Sequence, residues 1–301
     1  MAERVYSYSP INEREPIPWP DGKRVAFYLG VNIEYMHADL IGMGAHNYAN
    51  RQAVSAHPAP KEHGWFDYGS RVGIWRMIDL LDECGVPATA ITNSEVVEHH
   101  PQIIEAGLAR DWAWVAHGQT NSVMHNGFAP GEEAHVLDDI VATFGKTGIR
   151  PRGWMGPGLS ETFETHRLLR ERGFDYTLDW VSDDRPFAVD EPGFVAVPYT
   201  MDINDMPLFF THSTTPREYE EIVMDQLEVL LDEGGGVFAL PVHPYVVGVP
   251  FRFKYFAQVL RAVASHPDVW VTTTDAITDH FRSVSGLQRE VTSNATRPTG
   301  R

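Results

Sequence analysis

Three side chains that can move protons each follow a short apolar run. Glu34 lies just beyond residues 25–31 (VAFYLGV), His117 closes residues 112–116 and His243 closes residues 237–242. A carboxylate with two imidazoles is the minimum set for activating a water and protonating a leaving group. Other polar residues hold equivalent places: Asn32 beside Glu34, Asp179 after the run from 176, and Tyr199 with Asp202 after the run from 195. If the runs are parallel strands, their C-terminal ends share one face, and these residues are expected to converge there. The chain has no G-x-x-x-x-G-K-[ST] loop, no G-x-G-x-x-G after its first apolar run, no G-x-S-x-G elbow and no H-E-x-x-H. Nucleotide, hydride and serine-esterase chemistries lose their usual support.

The elements that must position these residues follow a βα rhythm. Residues 25–31 read as a strand buried on both faces, because the run is continuously apolar and short. The polar stretch 34–69 is too long for a simple connection and is expected to be a functional loop over the active face. Ile74, Met77, Ile78 and Leu81 recur at helical spacing, with Ser70 as cap and Gly85 with Pro87 as stop. Strands are then expected at 88–92, 112–116, 152–154, 176–179, 195–199, 237–242 and 269–272. Helices are expected at 94–108, 131–144, 160–172, 253–264 and 275–281. Thr215-Pro216-Arg217-Glu218 forms a capping box that opens a helix ending at Gly234. Seven or eight strands alternating with helices, without a break in composition, predict an α/β fold: one (β/α) barrel over 1–301, with 1–22 as an N-terminal extension and 283–301 as a fraying polar tail. A doubly wound open sheet is the alternative.

Composition narrows the partners. With 43% hydrophobic and 22% charged residues, the 301-residue chain has the profile of an ordinary globular protein. Against 41 Asp and Glu stand 24 Lys and Arg, a net charge of −17 that repels nucleic acid and anionic membrane and otherwise serves solubility. No run approaches the roughly 20 apolar residues of a membrane helix, and MAERVYSYSPINEREP lacks the order of a secretory signal, so a cytoplasmic location is expected. The single cysteine, Cys84, cannot form an internal disulfide and reads as a structural thiol within a helix.

The sequence resembles the polysaccharide deacetylase (NodB homology) superfamily, in its allantoinase and cyclic imide hydrolase branch. The resemblance runs from about residue 10 to 281 and rests on PINEREPIPWPDGKRVAFYLGVNIEY, YGSRVGIWRMIDLLDECGVPAT, the AHG of WVAHGQTN, TGIRPRGW, LDWVSDDRPF and ALPVHPYVVGVPFR. It implies a distorted (β/α) barrel of about seven strands and hydrolysis of a non-peptide carbon–nitrogen bond. Metal-dependent members carry T-F-D-D-G, with a base and then a metal ligand; here the segment is Val31-Asn32-Ile33-Glu34-Tyr35, so Glu34 keeps the base position and Tyr35 replaces the ligand. Their H-[ST]-x-x-H is His117-Gly118-Gln119-Thr120-Asn121, which keeps one imidazole. The arginine of R-P-P-Y-G falls near Met155 and is lost, whereas the late general-acid histidine is matched by His243. Asp179, Asp183 and Asp184 fall in a carboxylate-bearing motif.

These substitutions leave a poor ligand set, since zinc usually takes three protein ligands from His, Asp, Glu or Cys. No cofactor is therefore expected; the alternative is one divalent metal such as zinc near Glu34 and His117, with ligands from His37, His46, His57 or His63. Without a Lewis acid, an activated carbonyl is favoured, as in imides and cyclic ureides. The expected mechanism has Glu34 as base, its pKa raised by partial burial, and His243 as acid. His117 is expected to orient substrate or stabilise the oxyanion. Asn32, Asn121, Trp154, Asp179, Trp180 and Asp183 are the expected substrate-binding set, with Asp179 and Asp183 orienting the histidines or holding ring N–H groups. The bland reading of Asp183-Asp184 is a turn before Pro186. Arg71 and Trp75 read as structural, and His99 and His100 as surface residues. Competing readings are a metal-dependent amino-sugar or polysaccharide N-deacetylase and an inactive ligand-binding barrel. The expected partners are a small-molecule substrate and, by resemblance, further copies of the chain in a dimer or tetramer.

Overall fold

The computed structural model describes residues 5–37, 60–189 and 191–287. Its strands are β1 (Val25–Ile33), β2 (Ala88–Thr92), β3 (Ala113–Ala116), β4 (Gly153–Trp154), β5 (Tyr176–Thr177), β6 (Phe187–Ala188), β7 (Val195–Ala196), β8 (Gly236–Val242) and β9 (Val269–Val271). They form one sheet in the order β6-β7-β5-β4-β3-β2-β1-β8, parallel except between β6 and β7. On one side of β1 the strands run outward in chain order as far as β5, followed by β7 and β6, while β8 closes the other side. That is the order of an opened barrel and not of a doubly wound sheet, whose order reverses at a switch point.

β1 is the spine. β8 covers one edge over Val25–Val31, while the other edge is divided between β9 at Val25–Phe27 and β2 at Leu29–Ile33. The seam between the β8 side and the β6–β7 side is bridged by single groups: the Val237 N–H donates to the Asp184 carbonyl at 2.8 Å and the Trp19 indole to the Gly236 carbonyl at 3.0 Å. Arg14 adds an ion pair to Asp183 at 2.7 Å, and Arg185 donates to the carbonyls of Arg14 and Gly234. The segment before β1 thus laces the barrel shut.

Alternation along each strand divides the apolar residues into two cores. Ala26, Tyr28, Ile91, Val115, Tyr176, Val195, Val237 and Ala239 fill the barrel interior. Val25, Phe27, Leu29, Val31 and Ile33 face outward under the helices. The helices are α1 (Pro60–Tyr68), α2 (Ile74–Cys84), α3 (Glu95–His99), α4 (Pro101–Leu108), α5 (Glu132–Gly145), α6 (Thr165–Glu171), α7 (Pro216–Glu233), α8 (Pro250–Ala264) and α9 (Thr274–Ser285). Among the described residues no helix is long and apolar enough to cross a membrane. The Thr215–Glu218 capping box is formed, and Gly85 ends α2 in the left-handed region at φ 64°.

Three expectations are corrected. The stretch 34–69 is not all loop: α1 begins at Pro60 and continues through a π-turn at Gly69–Gly73 into α2, so Ser70 lies inside helical backbone and caps nothing. The helix expected at 94–108 breaks at His100, since a residue before proline avoids helical geometry. The helix expected from 160 starts at Thr165, because residues 156–164 form a turn beside the site. His46 and His57 lie outside the described residues.

The π-turn has a packing cause. A Cβ on Gly73 would stand 2.0 Å from the Pro244 carbonyl oxygen, and one on Gly69 2.9 Å from the Tyr245 nitrogen. Both glycines let the helix press against the turn that follows β8. Gly73→Ala is therefore expected to lower stability by about 1–3 kcal/mol through overpacking. Gly64→Ala on α1, where a Cβ meets nothing within 4 Å, should be neutral or stabilising by up to about 1 kcal/mol. Urea midpoints of the two variants give the comparison.

Candidate active site

Each proton-handling residue continues the inward parity of its strand past the strand end. Tyr28, Gly30, Asn32 and Glu34 alternate inward along β1, Val115 precedes His117 by two residues on β3, and Val237, Ala239, Pro241 and His243 follow suit on β8. Glu34, His117, His243, Asn32 and Asn121 accordingly line one cavity of about 90 Å³ with Tyr199, Asn204 and Tyr245.

At its centre the Glu34 Oε1 lies 3.7 Å from His117 Nε2 and 3.5 Å from His243 Nε2. The other oxygen, Oε2, accepts the Tyr245 hydroxyl at 2.8 Å. His243 is held from behind by Asp205, whose Oδ1 is 2.6 Å from Nδ1 and whose Oδ2 accepts the His243 backbone N–H at 2.8 Å. His117 Nδ1 donates to the Met155 carbonyl at 2.7 Å, which leaves Nε2 as an acceptor facing the cavity in the neutral ring. Asn32 donates through Nδ2 to the Val242 carbonyl at 3.2 Å and to the Tyr199 hydroxyl at 3.4 Å. Its buried Oδ1 has no hydrogen-bond partner among the described residues, nor has Asn121 Oδ1.

The electrostatics reverse one expectation. Burial pushes the Glu34 carboxyl up, but the His243 imidazolium beside it outweighs burial and holds it well below the usual carboxylate range. It is an ionised base at neutral pH and not one tuned upward. Burial would lower His243, yet Asp205 and Glu34 on either side push it up to about 10. Burial raises the Asp205 carboxyl, with His243 opposing. The proton between them rests on the imidazole, because that ring faces two carboxylates.

The other expected site residues lie elsewhere. Trp154 is fully buried and packs on His125 and Phe174. Asp183 pairs with Arg14 and accepts the Arg185 backbone N–H at 2.9 Å, which makes it part of the barrel seam and of a turn. Asp179 and Trp180 line a second cavity of about 510 Å³ with Glu161 and His166. There burial and the neighbouring Glu161 raise the Asp179 carboxyl well above its ordinary value. Asp202 is exposed, and Asp205, three residues on, is the carboxylate that reaches a histidine. Asp205 and Tyr245 were not singled out in the sequence. Asp205 sits beyond any strand, just ahead of the turn at Pro207–Thr211, while Tyr245 lies two residues past His243 in the same motif. Cys84 is a partly buried free thiol whose pKa burial raises, as a structural residue requires.

Among the described residues, the donors do not fit the divalent metal that the resemblance implies for some members. The Tyr35 ring stacks on His99 at 4.3 Å, outside the cavity lining, Asn121 offers only an amide, and His243 Nδ1 is taken up by Asp205 at 2.6 Å. His37 Nε2 is occupied by Glu95 at 2.6 Å. Among the described residues no group of three or more His, Cys, Asp or Glu could hold an ion.

The fold and the mouth define a curled α/β barrel with one carboxylate between two imidazoles. No family model matches the chain. It is 24% identical over 297 residues to a putative polysaccharide deacetylase of Schizosaccharomyces pombe, covering 86% of this chain and 91% of that one. Among solved structures, a probable polysaccharide deacetylase from Pseudomonas aeruginosa superposes with a TM-score of 0.81 at 24% identity, covering 92% and 97% of the two chains. Puue allantoinase superposes with a TM-score of 0.82 at 24% identity, covering 94% and 98%. The resemblance to polysaccharide deacetylases and their allantoinase relatives thus holds along nearly the whole chain, and the barrel fold is shared.

A stability consequence follows from His243. Its pKa is higher folded than unfolded, so its contribution is complete below about pH 6.5 and is lost as pH rises toward about 10. Glu34, shifted down, loses its contribution only below the usual carboxylate range. Unfolding free energy should therefore fall between pH 7 and 10 by on the order of 1 kcal/mol per pH unit, and less steeply in Asp205→Asn. Urea titrations at three pH values check both slopes.

Proposed function

We propose that the protein hydrolyses a non-peptide carbon–nitrogen bond in a small cyclic amide, imide or ureide by general acid–base chemistry without a metal. The observation that carries the reading is an ionised Glu34 and a protonated His243 facing each other across one small cavity. Base and acid are already in the states that their tasks require. At about 90 Å³ the cavity is smaller than the roughly 150 Å³ that holds benzene in another protein, which limits the reading to a small ring.

A water donating one hydrogen to Glu34 Oε1 and the other to His117 Nε2 has a lone pair free for the carbonyl carbon. Glu34 takes the first proton as the carbon–oxygen bond forms. The Asn121 amide lines the cavity where an oxyanion needs a donor. His243 then gives its Nε2 proton to the departing ring nitrogen as the carbon–nitrogen bond breaks, and Asp205 steadies the ring throughout. The proton on Glu34 returns to neutral His243, directly or through the product acid, so one water is consumed. His117 is an acceptor that aims the water in this scheme, which replaces its expected role at the oxyanion. Asn32 Oδ1, buried without a partner, is satisfied by a ring N–H.

Hydrolysis of hydantoin, succinimide, allantoin and acetylated amino sugars, with and without chelator, tests the reading. Ring opening that chelator leaves unchanged is expected. Acetate release that chelator stops would mean a metal-dependent deacetylase, and a ligand-dependent thermal shift without turnover an inactive barrel. Glu34→Gln should cost about 100- to 10,000-fold in kcat, the usual worth of a general base. Wild-type turnover in that variant would overturn the assignment. Methylating the ring nitrogen of a turned-over substrate should lower kcat/KM about tenfold or more, because it leaves Asn32 Oδ1 unsatisfied.

A further inference from the structure

The peptide joining Met155 to Gly156 lies between two groups that the site does not otherwise connect. Its carbonyl accepts the His117 Nδ1 proton at 2.7 Å. Its N–H points the other way, into the Asp179 carboxylate, at 2.9 Å to Oδ1 and 3.1 Å to Oδ2. Asp179 is in turn fixed by Thr177, whose hydroxyl donates to Oδ2 at 3.2 Å and accepts the Asp179 N–H at 3.1 Å. We propose that Asp179 is a positioning residue that sets the tautomer of His117 by locking the orientation of the Met155–Gly156 peptide.

The reasoning is geometric. A peptide plane next to a glycine turns over easily, because glycine has no Cβ to oppose the rotation. Gly156 cannot be replaced to stiffen the site, since a Cβ there would stand 2.1 Å from the Ser160 carbonyl oxygen. The turn beyond it carries strain at Leu159, a non-glycine residue in the left-handed region at φ 56°. If the plane turned over, its N–H would face His117 Nδ1. The ring would then accept at Nδ1 and carry its proton on Nε2, so it could no longer accept from the attacking water. Asp179 accepts the N–H with both buried oxygens, whether or not it shares a proton with Glu161, and a turned plane would forfeit both contacts. Asp179 does not line the cavity around Glu34, and the Met155–Gly156 peptide is the hydrogen-bonded link from it to His117.

The proposal rests on reading His117 as the acceptor that aims the water, but its test does not need the substrate to be known. In ¹⁵N-histidine-labelled wild-type protein, imidazole correlation spectra should place the neutral His117 proton on Nδ1. A proton on Nε2 would overturn the proposal without any variant. Asp179→Leu, which removes the acceptor, should move the proton to Nε2 in at least half the molecules. It should also lower kcat tenfold or more, with KM within threefold. Asp179→Asn keeps an oxygen for the Gly156 N–H and should restore the wild-type tautomer and most of kcat. If the leucine variant does not fold, Asp179→Ala serves in its place. A folded Leu or Ala variant with the wild-type tautomer and kcat within twofold would reduce Asp179 to a loop buttress. If no ring in the panel is opened, the functional reading fails while the tautomer result still decides this one.

Discussion

Glu34 carries its charge where little water reaches it, its side chain only 4% exposed, and a lone carboxylate so placed would cost several kcal/mol. Most of the mouth of the barrel answers that one cost. The Tyr245 hydroxyl satisfies one oxygen and the His243 imidazolium stands by the other. That imidazolium is buried too, and it is held by Asp205, itself fully buried and bound through both oxygens. Two carboxylates sharing one cation form a chain in which no member can be removed alone. Removing one partner of a buried pair typically costs about 3–5 kcal/mol, because the survivor keeps its charge without compensation.

This dependence extends into the fold. Tyr245 reaches Glu34 because the turn after β8 lies against the π-turn, and it lies there because Gly69 and Gly73 carry no side chains. Trp65 and Phe66 on α1 pack edge-on against the same Tyr245 ring. The helical layer over the barrel mouth thus sets the angle of one hydroxyl. A site built at strand ends gets its precision from whatever presses on those ends, and here that is a helix bent to fit.

Period and punctuation made much of this legible. The inward parity of Asn32 and Glu34, of Val115 and His117, and of Ala239 and His243 is a two-residue alternation that anyone can count. Once the apolar runs are taken as parallel strands, convergence follows, and Asn32, Glu34, His117 and His243 do meet. The residues that failed to meet them failed for definite reasons. Trp154 lies on β4 with the opposite parity to Met155 and faces the outer core. Asp183 lies past its strand, in the seam closed by Arg14. Asp205 was hidden because it approaches His243 from a turn, where no periodicity foretells direction. Burial alone predicts a raised Glu34 pKa, whereas the His243 imidazolium stands 3.5 Å away and lowers it.

The same charge chain bears on the metal-free reaction proposed for the site. A bound divalent ion would supply positive charge at the mouth and polarise the carbonyl. In the proposed reaction the positive charge is the His243 imidazolium, which would differ from an ion in being spent as a proton when the leaving group departs. Such a site suits bonds in which nitrogen departure, and not carbonyl polarisation, demands most help. The same proposal ties recovery to Asp205 and Glu34, whose field would draw a proton back to the ring before another turnover. Tyr35, turned outward onto His99, is consistent with that arrangement: a phenol in the cavity would need its own partner, and stacked outside it leaves the space to the substrate.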